Sequence, residues 1–466
     1  MQFDSYIYAI FLAAVFCLYW VLRKHLQWQN LLLLAASYLF YGWWDWRFLG
    51  LIVITSASTF LTGLLIKDDK SVRSRAWVTA NIILNIGILA TFKYFNFFRD
   101  TFADCMRLVG INPDFPTVNI LLPVGISFYT LQAISYTIDV YRGKCQPTRN
   151  ILAFFVYIAF FPQLVAGPIE RASNLLPQFL KKKQFDYDNA VIGMRQILWG
   201  LVKKLVIADN MAGYVDTLLY HPSIMSASSI VMAAIIFAIQ IYTDFSGYSD
   251  IAIGSARLLN IKLQANFRYP FFSRSMKELW QRWHISLMTW FRHYLYFPLG
   301  GSRCSKWRTC LNIMVVFAVS GLWHGADWTF VIWGTVNGLL LLPFVFLSKK
   351  TYKTEYATWR DIPMCILTFL IFALVFLAFR SPNFEHLTEC MKVLCSTSYL
   401  SIPMGVTALF YIVPFAVVEW IGRKQEFPLM TIPLPAALRW LIYIGLMFLI
   451  AYYSAGRNIQ YIYFQF

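Results

Sequence analysis

Charge is scarce in this chain. Only 14% of its 466 residues are Asp, Glu, Lys or Arg, and the 23 acidic residues are outnumbered by 40 basic ones. Ser/Gly-rich and Pro-rich linkers are missing, and no repeat of fixed period is visible, which excludes a string of tethered domains or a solenoid. The eight cysteines form no C-x-x-C pair, and Cys17, Cys365 and Cys395 lie in or beside apolar runs, where a thiol behaves as a small hydrophobe. His386, Cys390 and Cys395 lack the spacing of a zinc finger, so neither a disulfide framework nor a metal site is expected. No G-x-S-x-G elbow marks a serine hydrolase and no G-x-x-x-x-G-K-[ST] marks a nucleotide-driven pump. The basic excess is scattered among apolar segments rather than gathered in one stripe, which argues against a nucleic-acid surface.

What the chain has instead is apolar surface. It is 59% hydrophobic with a mean hydropathy of +0.55, more than one soluble core of this size can hide. Apolar runs recur at 6–22, 31–44, 48–66, 76–95, 229–243, 309–323, 328–347, 362–379, 401–420 and 437–454, with less regular segments near 120–140, 151–168 and 190–207. A helix needs about twenty apolar residues to cross a bilayer. These runs therefore predict an all-α polytopic membrane protein with roughly eleven transmembrane helices, organised as one continuous membrane domain over 1–466. The first run has no basic segment before it and no small-residue cleavage pattern after it, and so reads as a retained helix. Arg23 and Lys24 follow the first run, and Lys67, Lys70, Arg73 and Arg75 follow the third. Since Lys and Arg collect in short cytoplasmic loops, this parity puts the N-terminus outside.

Two stretches interrupt the pattern. In 161–185, FPQLVAGPIERASNLLPQFLKKKQF, three prolines and a glycine break apolar sequence. Broken backbone at membrane depth is tolerated only where protein or a polar cavity satisfies it, so a re-entrant segment is expected, with Arg171 facing the donor path. The second stretch, 266–301, is too charged to span and too aromatic for an ordinary loop. Ser275 and Glu278 have the spacing of a capping box. From there Met276, Leu279, Trp280, Trp283, Leu287, Trp290, Phe291 and Tyr294 follow helical spacing along one face, opposite Lys277, Gln281, Arg282, Arg292 and His293. The pattern predicts one interfacial helix over 275–297, ended by Pro298, Gly300 and Gly301.

Four ionisable residues draw attention. His324, in GLWHGADW, lies between two apolar runs, where a titratable group is costly and is a functional candidate by default. The competing explanation is a histidine that simply packs between Trp323 and Trp328, although Gly321 and Gly325 leave room for a ligand or another backbone beside it. His284, in WQRWHISL, follows Trp283 at the edge of the apolar face of the 275–297 segment, where a side chain either snorkels to the interface or points into a cavity. Asp244 and Asp250, in YTDFSGYSDIAIG, follow a strongly apolar run and need partners, for which Arg257 and Arg268 are the near candidates. His293 reads as solvated, and His25, His221 and His386 as loop residues.

At this point five blocks become recognisable together: LPVGISFYTLQAISYTIDVYRG at 122–143, FPQLVAGPIERASNLLPQF at 161–179, IYTDFSGYSDIAIG at 241–254, NFRYPFFSRSMKELWQRWHISLMTWFRHYLYFPLGGSR at 266–303 and LWHGADWTFVIWG at 322–334, with the tail YIYFQF. Over nearly its whole length the chain resembles the membrane-bound O-acyltransferase (MBOAT) family, in the bacterial branch that O-acetylates polysaccharides. Two positions depart from the pattern: His293 stands where relatives often carry Asp, and Asn337 where they often carry His. The resemblance implies transmembrane, re-entrant and interfacial helices around a central cavity, in a multi-pass protein of the plasma (inner) membrane. It implies catalysis by His324 with His284 as the second histidine; beside them, Asp244, Arg171, Trp323 and Trp283 are the candidate substrate contacts. It also implies acetyl-coenzyme A or an acyl-carrier thioester as donor substrate with no permanently bound cofactor, a polysaccharide acceptor, a serine-hydrolase-like acetyltransferase partner and lipid around the protein. Peptidoglycan, teichoic acid, and a lipid or protein hydroxyl stand as alternative acceptors. An acyl-donor channel or transporter is the rival class; it predicts paired helix breaks in two related halves, and one clear break is visible, near 161–168.

Overall fold

The computed structural model describes residues 1–67, 71–113, 115, 120–165, 167–220, 226–347, 354–395 and 405–454. His221 and the YIYFQF tail lie outside them. The described residues are helical with no strand among them, as the apolar periodicity predicts. Six of their helical stretches are long and apolar enough to cross a bilayer: Leu26–Leu65, Val72–Leu108, Ala227–Leu258, Trp328–Phe346, Trp359–Arg380 and Ala436–Ser454. Three shorter apolar helices accompany them, Tyr6–Val21, Ile151–Leu164 and Val406–Gly422. The chain is a multi-pass membrane protein. The sequence-based figure of roughly eleven spans exceeds six partly because Leu26–Leu65 holds two apolar runs. Asp45, in extended conformation, divides it into Leu26–Asp45 and Leu49–Leu65, and its carboxylate caps the short turn between them by accepting from Arg47 N.

The residues fall into two compact units, 1–187 with 256–263, and 188–255 with 264–466. In the first, the helix Ile126–Tyr141 is buried almost all round, the signature of a central helix. Its polar groups are matched inside the unit: Thr137 donates to Asn81 Oδ1 at 2.9 Å, and Gln132 donates to the Tyr157 carbonyl at 2.7 Å. The proline-rich break is here too. Ile151–Ala159 ends, Phe160 is non-helical, and the short helix Phe161–Leu164 starts with proline in its first turn, where its missing N–H costs nothing. The freed backbone N–H of Phe161 donates to Ser37 Oγ at 3.1 Å, and Gln163 donates to Gln132 Oε1 at 2.8 Å. The Ser37 side chain thus satisfies the backbone N–H at the break, and a side-chain bond ties the segment to Ile126–Tyr141. Arg171 is the half-buried N-cap residue of Ala172–Phe179 in this same unit.

The second unit is built on backbone-to-backbone helix contacts. Tyr187–Leu201 meets Ala227–Leu258 where Gly200 faces Gly247; a Cβ on Gly200 would lie 2.6 Å from the Gly247 carbonyl. Lys306–His324 and Trp328–Leu341 form a tight hairpin around Gly321 and Gly334, where added Cβ atoms would each come within 2.2 Å of a facing carbonyl, Phe330 O and Phe317 O respectively. The glycine beside His324 therefore serves its own partner helix. Behind the hairpin, Ile362–Arg380 contributes Phe372, Phe376 and Phe379 to a core with Trp280, Trp283 and Trp333.

We expect Gly334→Ala to destabilise the purified protein by about 1–3 kcal/mol, the usual cost of overpacking, visible as a lower Tm in detergent. Gly213→Ala, in a helix with nothing within 4 Å of the added Cβ, is the control and should raise stability slightly, by about 0.5–1 kcal/mol.

Candidate active site

The interfacial segment is where the structure departs most from the sequence pattern. Its apolar face is as expected: Met276, Leu279, Trp280, Trp283, Leu287, Phe291 and Tyr294 are buried, and Lys277, Gln281 and Arg292 are exposed. Ser275 caps the start, accepting from Glu278 N at 3.3 Å, while the Glu278 carboxylate turns to Arg274 and Arg282 at 2.8 Å each. A single helix over 275–297 does not form. Met276–Arg282 stops, His284 takes a left-handed conformation with φ 43° and ψ 51°, Ile285–Phe291 begins, and Arg292–Tyr296 winds as a π-helical turn. His293, expected to be solvated, is half-buried, with Nδ1 donating to the Thr289 carbonyl at 2.8 Å and its ring against Phe297.

The break turns His284 inward. The residue is 1% exposed, its ring lying edge-on to Phe245 at 4.7 Å and near Phe267. Asn266 bridges the break from outside it: its backbone carbonyl accepts from Ile285 N at 2.8 Å, and its Oδ1 accepts from Ser286 Oγ at 2.9 Å and from His284 Nδ1 at 3.0 Å. Its amide nitrogen donates to Ser249 Oγ at 3.2 Å. Burial pushes the His284 pKa down from the usual histidine range, to about 3, so its imidazole is neutral at physiological pH.

His324 is the last residue of Lys306–His324 and is likewise buried. Its ring centroid lies 6.2 Å from that of His284. Trp323 stands beside both, at 5.0 Å from His324 and 6.1 Å from His284, and Trp333 and Phe379 close the cage at 5.1 and 5.6 Å from His324. The structure thus brings together two of the residues chosen from sequence, forty positions apart, inside aromatic walls. Trp283 lies one layer away, packed on Tyr242, Phe267, Phe372 and Phe376. Arg171 belongs to the other unit.

Asp244 is engaged otherwise than expected. Its partner is neither Arg257 nor Arg268 but Lys204, whose Nζ lies 2.9 Å from Asp244 and 2.8 Å from Asp209. Asp250 pairs with Lys203 at 2.5 Å and accepts from Gln196, and Lys203 also donates to Ser246 Oγ at 2.9 Å. Both lysines sit on the π-helical turn Val202–Ala208 and are buried. Sequence reading passes over them because they interrupt the run 190–207 without ending it. The usable clue is that two lysines in one apolar segment and two aspartates in another are charges that hydrocarbon demands be matched.

A family model described as MBOAT, membrane-bound O-acyltransferase family, matches residues 147–385, a stretch that contains both histidines. The chain belongs to this family. Among curated MBOAT and related proteins, it is 36% identical over 389 residues to the probable alginate O-acetylase AlgI of Azotobacter vinelandii, covering 83% of this chain and 76% of that protein. It is 33% identical over 412 residues to the peptidoglycan O-acetyltransferase of Helicobacter pylori, covering 82% and 77%. To the teichoic acid D-alanyltransferase of Bacillus subtilis it is 26% identical over 294 residues, covering 59% and 72%. As an MBOAT protein this chain is an acyltransferase, and the channel or transporter class falls away.

Replacing Lys204 with Met leaves Asp244 and Asp209 buried without their cation, and breaking a buried pair in this way costs about 3–5 kcal/mol. We expect Lys204→Met to lower the yield and Tm of detergent-extracted protein sharply. Adding Asp244→Asn should recover part of the loss by removing one uncompensated charge, and no recovery would mean that the pair does not carry the stabilisation.

Proposed function

We propose that this MBOAT enzyme moves an acetyl group from a cytoplasmic thioester, acetyl-coenzyme A or an acyl carrier, toward hydroxyls of an exported polysaccharide in the inner membrane. The transfer runs directly or through a serine-hydrolase-like partner protein. The observation that carries the reading is the pair of buried imidazoles 6.2 Å apart within one aromatic cage. Acyl transfer to an alcohol needs a base for the hydroxyl proton and a site closed to water that would hydrolyse the thioester. His324 is the base. The hydroxyl oxygen bonds to the thioester carbonyl carbon, the carbon–sulfur bond breaks, and the proton that His324 accepted leaves with the thiolate as a thiol. His284 orients a substrate beside it, and Trp323, in contact with both rings, excludes water. Asp244 acts on substrate only indirectly, since Lys204 engages it, and Arg171 is proposed to hold donor phosphates. The fit to peptidoglycan as an alternative acceptor is supported by the comparable identity to the Helicobacter protein.

Removing a general base slows a reaction about a hundredfold to ten-thousandfold. In cells with matched membrane abundance of each variant, His324→Ala should bring alkali-released acetate from the exported polysaccharide below detection. His284→Ala should cost less or act on donor binding, and His293→Ala should be nearly silent. Near-normal acetylation with His324→Ala removes the mechanism, and acetate found only in the muropeptide fraction moves the acceptor to peptidoglycan.

A further inference from the structure

The two ring nitrogens of His284 are not equivalent. Nδ1 meets Asn266 Oδ1 at 3.0 Å, and that oxygen also accepts from Ser286 Oγ, whereas the amide nitrogen of Asn266 is committed to Ser249 Oγ. An amide oxygen only accepts, so Nδ1 carries the proton. Nε2 is fully buried and has no hydrogen-bond partner among the described residues. A buried nitrogen without a partner costs stability of the order of a lost hydrogen bond, and such exceptions gather where a ligand supplies the missing bond. The left-handed backbone at His284 points the same way. Strain of this kind persists only when its surroundings impose it, and it clusters at functional sites. Here Asn266 imposes it by accepting from Ile285 N as well as from the ring.

We infer that Asn266 is a positioning residue of the acyl transfer, which locks His284 in the Nδ1–H tautomer so that Nε2 accepts a hydrogen bond from a substrate O–H or N–H in the cage shared with His324. The inference rests on the acyltransferase reading of that cage and narrows it. A bare nitrogen cannot donate to a developing oxyanion, so His284 orients the incoming hydroxyl or an amide N–H of the donor arm and leaves oxyanion stabilisation to other groups. Asn266 itself touches neither substrate.

The direct test is the tautomer, read by ¹⁵N resonances of histidine in detergent-solubilised, ¹⁵N-histidine-labelled full-length protein, where protonated and bare ring nitrogens fall in separate ranges. The His284 signals are identified by their loss in His284→Gln, or by elimination through substitution of the other five histidines if that variant is not recovered. The expected pattern is a protonated Nδ1 and a bare Nε2 in the wild type, retained in Asn266→Asp, which keeps the acceptor, and lost in Asn266→Ala. Acetylation in cells should fall about tenfold to a hundredfold with Asn266→Ala, by analogy with the loss of a partner that orients a metal-bound histidine, and Asn266→Asp should restore most of it. A protonated Nε2 in the wild type overturns the inference. So does an Asn266→Ala protein that keeps both the pattern and the activity. The spectrum needs no substrate, so it fails or holds independently of acyl transfer, whereas an inactive wild type with the expected tautomer would overturn the functional reading alone.

Discussion

Lys203 and Lys204 carry their charges into an apolar core, and much of the second unit is placed by where those charges are matched. Their partners Asp250, Asp244 and Ser246 stand on Ala227–Leu258, and the Gly200–Gly247 contact lets the two helices close until the ions meet. That docking fixes Phe245, the residue after Asp244, against the face of the cage where it meets His284. Ser249, one turn on, holds the amide of Asn266. The ion pairs thus support the histidine from behind without touching it. Each lysine alone would be expensive, and together with their carboxylates they specify one packing of two otherwise featureless apolar helices.

The second support is the hairpin of Lys306–His324 and Trp328–Leu341. His324 sits at its turn, with Gly325 extended after it and Asp327 capping the next helix by accepting from Thr329 N at 2.8 Å. Because the helices touch at backbone through Gly321 and Gly334, the turn has little freedom, and neither has the imidazole at its end. Trp333, from the returning helix, lies almost perpendicular to the ring. The imidazole is held by packing, as the proposed role of a base that must meet a substrate within a fraction of an ångström requires.

What the sequence made legible was whatever has a period or a motif. The helical class, the amphipathic face of 276–294 and the proline break near 161 follow from apolar spacing and missing N–H groups. His324 and His284 stood out as titratable residues set in apolar surroundings, sharpened by the family blocks, and the structure buries both in one aromatic cage. Illegible were features made by residues distant in sequence. Nothing local says that Lys204 belongs to Asp244, forty residues on, or that Asn266 reaches across a helix break to His284. The break itself has no glycine or proline to announce it; tertiary hydrogen bonds hold a histidine in a conformation that its own propensity disfavours.

The π-helical turn Val202–Ala208 has a consequence for how this protein can vary. Such a turn is an α-helix holding one surplus residue, and each residue of an α-helix advances the chain by about 100° around its axis. Deleting a single residue there yields an unblemished helix, locally more regular than the original. Because the π turn fits its surplus residue into about one turn, the flanking helices keep their phase, and what the deletion displaces is the turn itself, where Lys203 and Lys204 meet Asp250 and Asp244. The same deletion in a surface loop is absorbed by a few dihedrals. The irregular turn is therefore tied to its two ion pairs, a place where the chain can be neither shortened nor tidied.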